Sequence, residues 1–128
     1  GMSFMAETES GHLLSMDGAP EGGGRNLAPR PMETVLAGTG GCTAYDVVVI
    51  LKKSQQAVTG CEVQLHAERA EADPKVFTRI HMHFVVTGKA LKPNLVEHAI
   101  RLSHDKYCSV WHSLRQDIAF DSSFDIEP

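Results

Sequence analysis

The side chains of this chain best suited to nucleophilic or soft-metal chemistry near neutral pH are the three cysteines, Cys42, Cys61 and Cys108, and the seven histidines. Thiolates are both nucleophiles and metal ligands. Cys42 lies in Ala37-Gly38-Thr39-Gly40-Gly41-Cys42-Thr43-Ala44. Three glycines inside a helix cost about 1 kcal/mol each relative to alanine. Close approach of another backbone, or space for a substrate, has to offset that. Tight packing around Cys42 as a small core hydrophobe is the plainer reading. Helical phase puts Thr39, Tyr45 and Asp46 near Cys42, and Asp46 reads as an ordinary surface acid of the helix.

Cys108 lies in Asp105-Lys106-Tyr107-Cys108-Ser109-Val110, at a joint between two helices. A thiol near a helix N-terminus with a lysine close by is expected to have a lowered pKa. A buried joint cysteine is the alternative. Cys42 and Cys108 are 66 residues apart, unlike a C-x-x-C redox motif or a zinc site. Only a fold that brings the two helices together makes them a pair. Cys61 reads as core. His81 and His83 share one strand face without a third metal ligand in view, which favours a solvated face. His98, His104 and His112 have no assigned role, and no metal is expected.

The elements that must position these groups follow from periodicity and turn signals. Phe4–Glu9 and His12–Met16 flank Ser10-Gly11 as a weak hairpin. Gly18–Pro31, rich in glycine and proline, reads as a loop and the least ordered stretch. Pro31 opens a helix running from Met32 to about Gln56, with Glu33 in its first turn and Lys52-Lys53 closing it. Apolar residues cover nearly every face of its second half, the pattern of a buried helix. Cys61–Arg69 and Val76–Thr87 alternate as an antiparallel strand pair. Pro93 opens a second helix to about Tyr107, with Leu95, Ala99 and Leu102 inward. Val110–Ile118 reads as a third helix, and Phe120–Ile126 as a last strand. The order β-β-α-β-β-α-α-β is α+β, with helices packed on antiparallel sheet.

Bulk properties narrow the class. At 128 residues, 42% hydrophobic and 22% charged, the chain reads as a single domain over 1–128 with a real core. The net charge is −4 and the longest basic cluster is Lys52-Lys53, which argues against nucleic acid. No run approaches the roughly 18 consecutive apolar residues of a membrane span, and Gly1–Ser10 lacks the features of a secretory signal. Gly1 before Met2 reads as an expression remnant. Three cysteines in such a chain suggest the cytoplasm.

The segment Pro31-Met32-Glu33-Thr34-Val35-Leu36-Ala37-Gly38-Thr39-Gly40-Gly41-Cys42-Thr43-Ala44-Tyr45-Asp46-Val47-Val48 resembles the first-cysteine helix of the OsmC/Ohr family, and Lys106-Tyr107-Cys108-Ser109-Val110 resembles its second-cysteine motif. The wording around Cys42 is similar to the OsmC-like branch. The resemblance covers about Ser10 to Ile126. It implies antiparallel sheets packed around a buried cysteine-bearing helix in an intertwined homodimer with two interface sites. It also implies thiol-dependent reduction of organic hydroperoxides at the expense of an external dithiol, without a cofactor. Cys42 then matches the peroxidatic cysteine and Cys108 the resolving one. The family's Arg falls on Arg25 or Arg30 and its Glu on Glu33, which stands one residue out of the ungapped register. A hydrophobic-ligand binder or a redox sensor on the same fold are the alternatives.

Overall fold

The computed structural model describes residues 1–128 as an α+β chain of two units, Gly1–Ala37 and Gly38–Pro128, with the boundary inside the first long helix. The first unit begins with β1 (Phe4–Glu7) and β2 (Leu13–Met16). They pair antiparallel, with Phe4 opposite Met16 and Glu7 opposite Leu13. Gly11 supplies the positive φ of the connection. Phe4, Met5 and Leu13 are each 60% exposed or more.

The glycine- and proline-rich stretch that follows is organised around one carboxylate. Asp17 is 2% exposed. Its Oδ1 accepts from the Gly18 N–H at 2.8 Å, and its Oδ2 from the N–H groups of Arg25 at 3.2 Å and Leu27 at 3.1 Å. The Asp17 N–H donates to the Pro29 carbonyl. Sequence composition suggests little order here, because it does not show which backbone donors one acidic side chain collects. Burial alone pushes the Asp17 pKa up, but the N–H groups of Leu27, Gly18 and Arg25, with the Ser3 hydroxyl, hold it below the ordinary 3.8.

Helix α1 (Pro31–Lys53) starts on proline, and the Glu33 carboxylate accepts the Arg30 N–H at 2.9 Å, an N-terminal capping contact. It ends three residues before the expected Gln56. Gln55 turns left-handed at φ 62, and the Gln56 N–H returns to the Leu51 carbonyl. By length and composition alone α1 is apolar enough to cross a membrane. Its packing is that of a core helix: Thr39, Gly40, Thr43, Val47 and Leu51 form one buried stripe at helical spacing. A Cβ on Gly40 would lie 2.5 Å from Leu65 Cδ1, whereas Gly38 and Gly41 face open space. Within one chain the remaining apolar faces stay partly accessible; Val48, Val49 and Ile50 are half-buried.

β3 (Ala57–Arg69) and β4 (Phe77–Lys89) form the long antiparallel pair. Ile80, Met82, Phe84 and Val86 are buried on its inner face. Phe77 is also buried, although alternation assigns it to the wet face; the register shift at Glu68/Arg69 moves it inward. α2 (Pro93–Leu102) buries Val96, Ala99 and Ile100, a stripe offset from the expected Leu95, Ala99 and Leu102. A π-helical turn (Ser103–Tyr107) follows, then α3 (Ser109–Ser113), which ends where Leu114 becomes extended, well short of Ile118. His104 stacks on Phe120 and tilts against Trp111.

The last strand, β5 (Ala119–Glu127), pairs with β4 in parallel, His83 opposite Ser123. The three-stranded sheet is therefore mixed, where alternation alone suggested antiparallel pairing. The helices between β4 and β5 carry the chain back to the end from which β4 started, and such a crossover leaves the next strand parallel.

Two outcomes test these contacts. Gly40→Val should destabilise the fold by about 1–3 kcal/mol in urea unfolding, through overpacking against Leu65. For Asp17 the folded pKa is depressed, so its contribution is present above the unfolded value near 3.8 and is lost as pH falls through the folded value. Asp17→Ala should expose the Gly18, Arg25 and Leu27 amides to hydrogen exchange at neutral pH, as acidification does in the parent.

Candidate active site

The fold brings Cys42 and Cys108 together within the second unit. Their sulfurs and a carboxylate oxygen of Asp46 all lie within 4.8 Å of one another. Cys42 and Asp46 are one turn apart on α1, so helix geometry aligns them on one face. Cys108 comes from the π-turn, whose closing bond runs from the Cys108 N–H to the Ser103 carbonyl at 2.8 Å. A one-residue widening of this kind re-aims side chains at a helix joint. It leaves Ser103 buried, with its hydroxyl donating to Asp46 Oδ2 at 2.9 Å.

The two thiols differ in setting. Cys42 is half-buried and Cys108 is fully buried. Cys108 caps α3, its sulfur accepting the Trp111 N–H at 3.4 Å. The Thr43 hydroxyl lies 3.5 Å from the same sulfur and 3.0 Å from the Thr39 carbonyl. The Cys108 thiol can itself donate to that carbonyl at 3.9 Å. Burial pushes the Cys108 pKa above the ordinary 9.0, and the adjacent Cys42 adds to the rise, against the opposing hydrogen bonds from Thr43 and Trp111. This corrects the expectation of a lowered pKa. α3 has only five residues, and Lys106 is exposed, with its ammonium 5.2 Å from the Tyr107 ring. Neither outweighs complete desolvation.

Asp46 is half-buried beside the sulfurs, not a free surface acid. Thr43 and Ser103 join the site with no motif in the sequence to mark them. A small polar residue at a helix position that must be buried was the available signal, since a buried hydroxyl needs a partner. Tyr45 points away and is 72% exposed. Cys61, on β3, is half-buried, and burial pushes its pKa up to about 11.

Arg25, Arg30 and Glu33 belong to the first unit. The Arg25 backbone is tied to Asp17, and the Arg30 guanidinium donates to Asn26 Oδ1 at 2.5 Å. Glu33 caps the Arg30 N–H at the start of α1. The strand-face histidines are paired with acids of β5: His81 Nδ1 with Asp121 at 3.0 Å and His83 Nε2 with Asp125 at 3.1 Å, with the Ser123 hydroxyl near both rings.

Comparison with known proteins adds the ancestry. The family model described as OsmC-like protein matches residues 22–123. The chain is 45% identical over 126 residues to Protein YhfA of Escherichia coli K12, covering 98% of this chain and 91% of that one. It is similar to the crystal structure of a hypothetical protein from Aquifex aeolicus VF5, with TM-score 0.83, 30% identity, and 98% and 87% of the two chains covered. An organic hydroperoxide resistance protein OsmC from Legionella pneumophila shares the fold at TM-score 0.65 and 14% identity, with 97% and 95% covered.

The geometry makes a sharp chemical prediction. Mild oxidation with diamide should join Cys42 to Cys108 within one chain and leave Cys61 free, as read by peptide mass mapping. Because the Cys61 pKa is raised to about 11, this thiol should remain protonated at pH 8. In the native protein it should alkylate with iodoacetamide far more slowly than after unfolding. A Cys61-containing disulfide as the main product would contradict the assigned geometry.

Proposed function

The chain belongs to the OsmC-like family, and from that premise we propose that it is a thiol-dependent peroxidase that reduces organic hydroperoxides. The observation that carries this reading is the convergence of a half-buried and a fully buried thiol within 4.8 Å, from segments 66 residues apart. The more accessible Cys42 takes the peroxidatic role and the enclosed Cys108 the resolving role.

The Cys42 thiolate attacks the outer oxygen of R–O–O–H. The O–O bond breaks, the alkoxide leaves as R–OH after protonation, and Cys42 becomes a sulfenic acid. Cys108 then attacks the Cys42 sulfur, releasing water and forming the Cys42–Cys108 disulfide. An external dithiol restores both thiols by exchange. The Thr43 hydroxyl and the Trp111 N–H are both placed to donate to the Cys108 sulfur. Such donors favour its ionised form at the moment of attack. A groove of about 350 Å³ beside Asp46 is walled by the apolar Val49, Ile50, Leu102 and Tyr107 together with Lys53, Ser54 and His98, and its apolar wall suits the organic portion of a peroxide.

By family resemblance, Arg25 or Arg30 supplies the guanidinium that stabilises the Cys42 thiolate, and Glu33 the accompanying carboxylate. The homodimer is part of the same reading. Exposed Phe4, Met5, Leu13 and Leu27 in the first unit, and open space beside Gly38 and Gly41, are surfaces that a second copy would cover. The acting compartment is a reducing one, the cytoplasm.

The test is consumption of cumene hydroperoxide with dithiothreitol or dihydrolipoamide. Cys42→Ser should reduce it to the rate without protein. Cys108→Ser should still form the Cys42 sulfenic acid, trapped by dimedone, but no intrachain disulfide. Arg25→Ala or Arg30→Ala, and Glu33→Ala, should slow Cys42 oxidation without unfolding the chain. Light scattering at micromolar concentration should give a dimer. Stoichiometric oxidation without turnover would instead indicate a redox sensor.

A further inference from the structure

We infer that the reduced Cys42–Asp46–Cys108 cluster is also a binding site for a thiophilic divalent cation of the zinc class. Three potential ligand atoms, two sulfurs and one carboxylate oxygen, lie mutually within 4.8 Å. Zinc sits about 2.3 Å from thiolate sulfur and about 2.0–2.2 Å from carboxylate oxygen, so tetrahedral neighbours lie roughly 3.5–3.8 Å apart. Small side-chain rotations close that difference.

The ligands stand on firm supports. Cys42 and Asp46 are fixed one turn apart on a core helix, and Cys108 is fixed by the π-turn and by its place at the start of α3. Asp46 has the kind of outer contact that orients a metal carboxylate: the Ser103 hydroxyl, itself on a buried residue, donates to Oδ2. That donor is neutral, so it does not cancel the carboxylate charge. Two ionised thiols beside this carboxylate would concentrate three negative charges in a desolvated place, and a divalent cation offsets them. Sulfur and mixed sulfur–oxygen donors select zinc over magnesium or calcium. Three protein ligands leave a fourth position for water.

Binding displaces two thiol protons to solvent and involves no electron transfer. It excludes the disulfide, because a sulfur in an S–S bond is no longer a thiolate ligand. The cation therefore competes with oxidation of the pair, and oxidation, where it wins, releases the cation. The sequence spacing is unlike a zinc motif because the ligands come from two distant segments that only the fold unites. The inference shares its thiols with the peroxidase reading but does not depend on turnover.

The reduced full-length chain should be titrated anaerobically with Co2+, and the cobalt then displaced with Zn2+. We expect one equivalent per chain with a thiolate-to-cobalt charge-transfer band, abolished by Zn2+. The diamide-oxidised chain should give no band, and neither should Cys108→Ser. Asp46→Asn should bind about 10-fold more weakly or worse with unchanged circular dichroism, while the double variant His81→Gln/His83→Gln binds as the parent does. An absent band in the reduced chain, a band that survives oxidation, or unaltered affinity in Asp46→Asn would each overturn the site. Cobalt binding with these properties in a chain that fails to turn over hydroperoxide would support the site while removing the peroxidase reading.

Discussion

One narrow stripe of α1 has to be buried, and the rest of the second unit is arranged by that requirement. Thr39, Gly40 and Thr43 are the small residues in it, with Val47 and Leu51 completing it toward the C-terminal end. Gly40 lets the helix approach Leu65 of β3, a distance that any Cβ would disturb. Thr39 and Thr43 then meet the Cys108 sulfur directly. Cys42 and Asp46 ride on the same helix beside this seam.

The site that results is governed by desolvation more than by nearby charge. Cys108 is buried completely, and this outweighs its position at a helix start. That desolvation favours the protonated form of Cys108 at rest, against the hydrogen bonds that Thr43 and Trp111 donate to its sulfur. A guanidinium and a divalent cation are two answers to the same electrostatic need, and they favour opposite outcomes, reaction in one case and protection in the other.

Surfaces left uncovered in a single chain carry their own information. The β1–β2 hairpin exposes large apolar side chains, and α1 buries only one of its apolar faces. The aromatic contacts of His104 with Phe120 and Trp111 tie the helix joint to β5.

The sequence by itself determined the elements and their order, because hydrophobic period, proline at helix starts and strand alternation are local properties. Resemblance to the two OsmC/Ohr motifs singled out Cys42 and Cys108; the glycines and the helix joint, taken alone, left core packing the plainer reading. What the sequence did not contain was distance. The nearness of the two sulfurs, the role of Asp46 beside them, and the hydroxyls of Thr43 and Ser103 all depend on contacts between segments roughly 60 residues apart. The parallel pairing of β5 and the inward shift of Phe77 depend on a crossover and a register irregularity. The raised pKa of Cys108 was decided in the same way, since the cost of ionising a thiol is set by what surrounds it in space, and neighbours in the chain are only a small part of that.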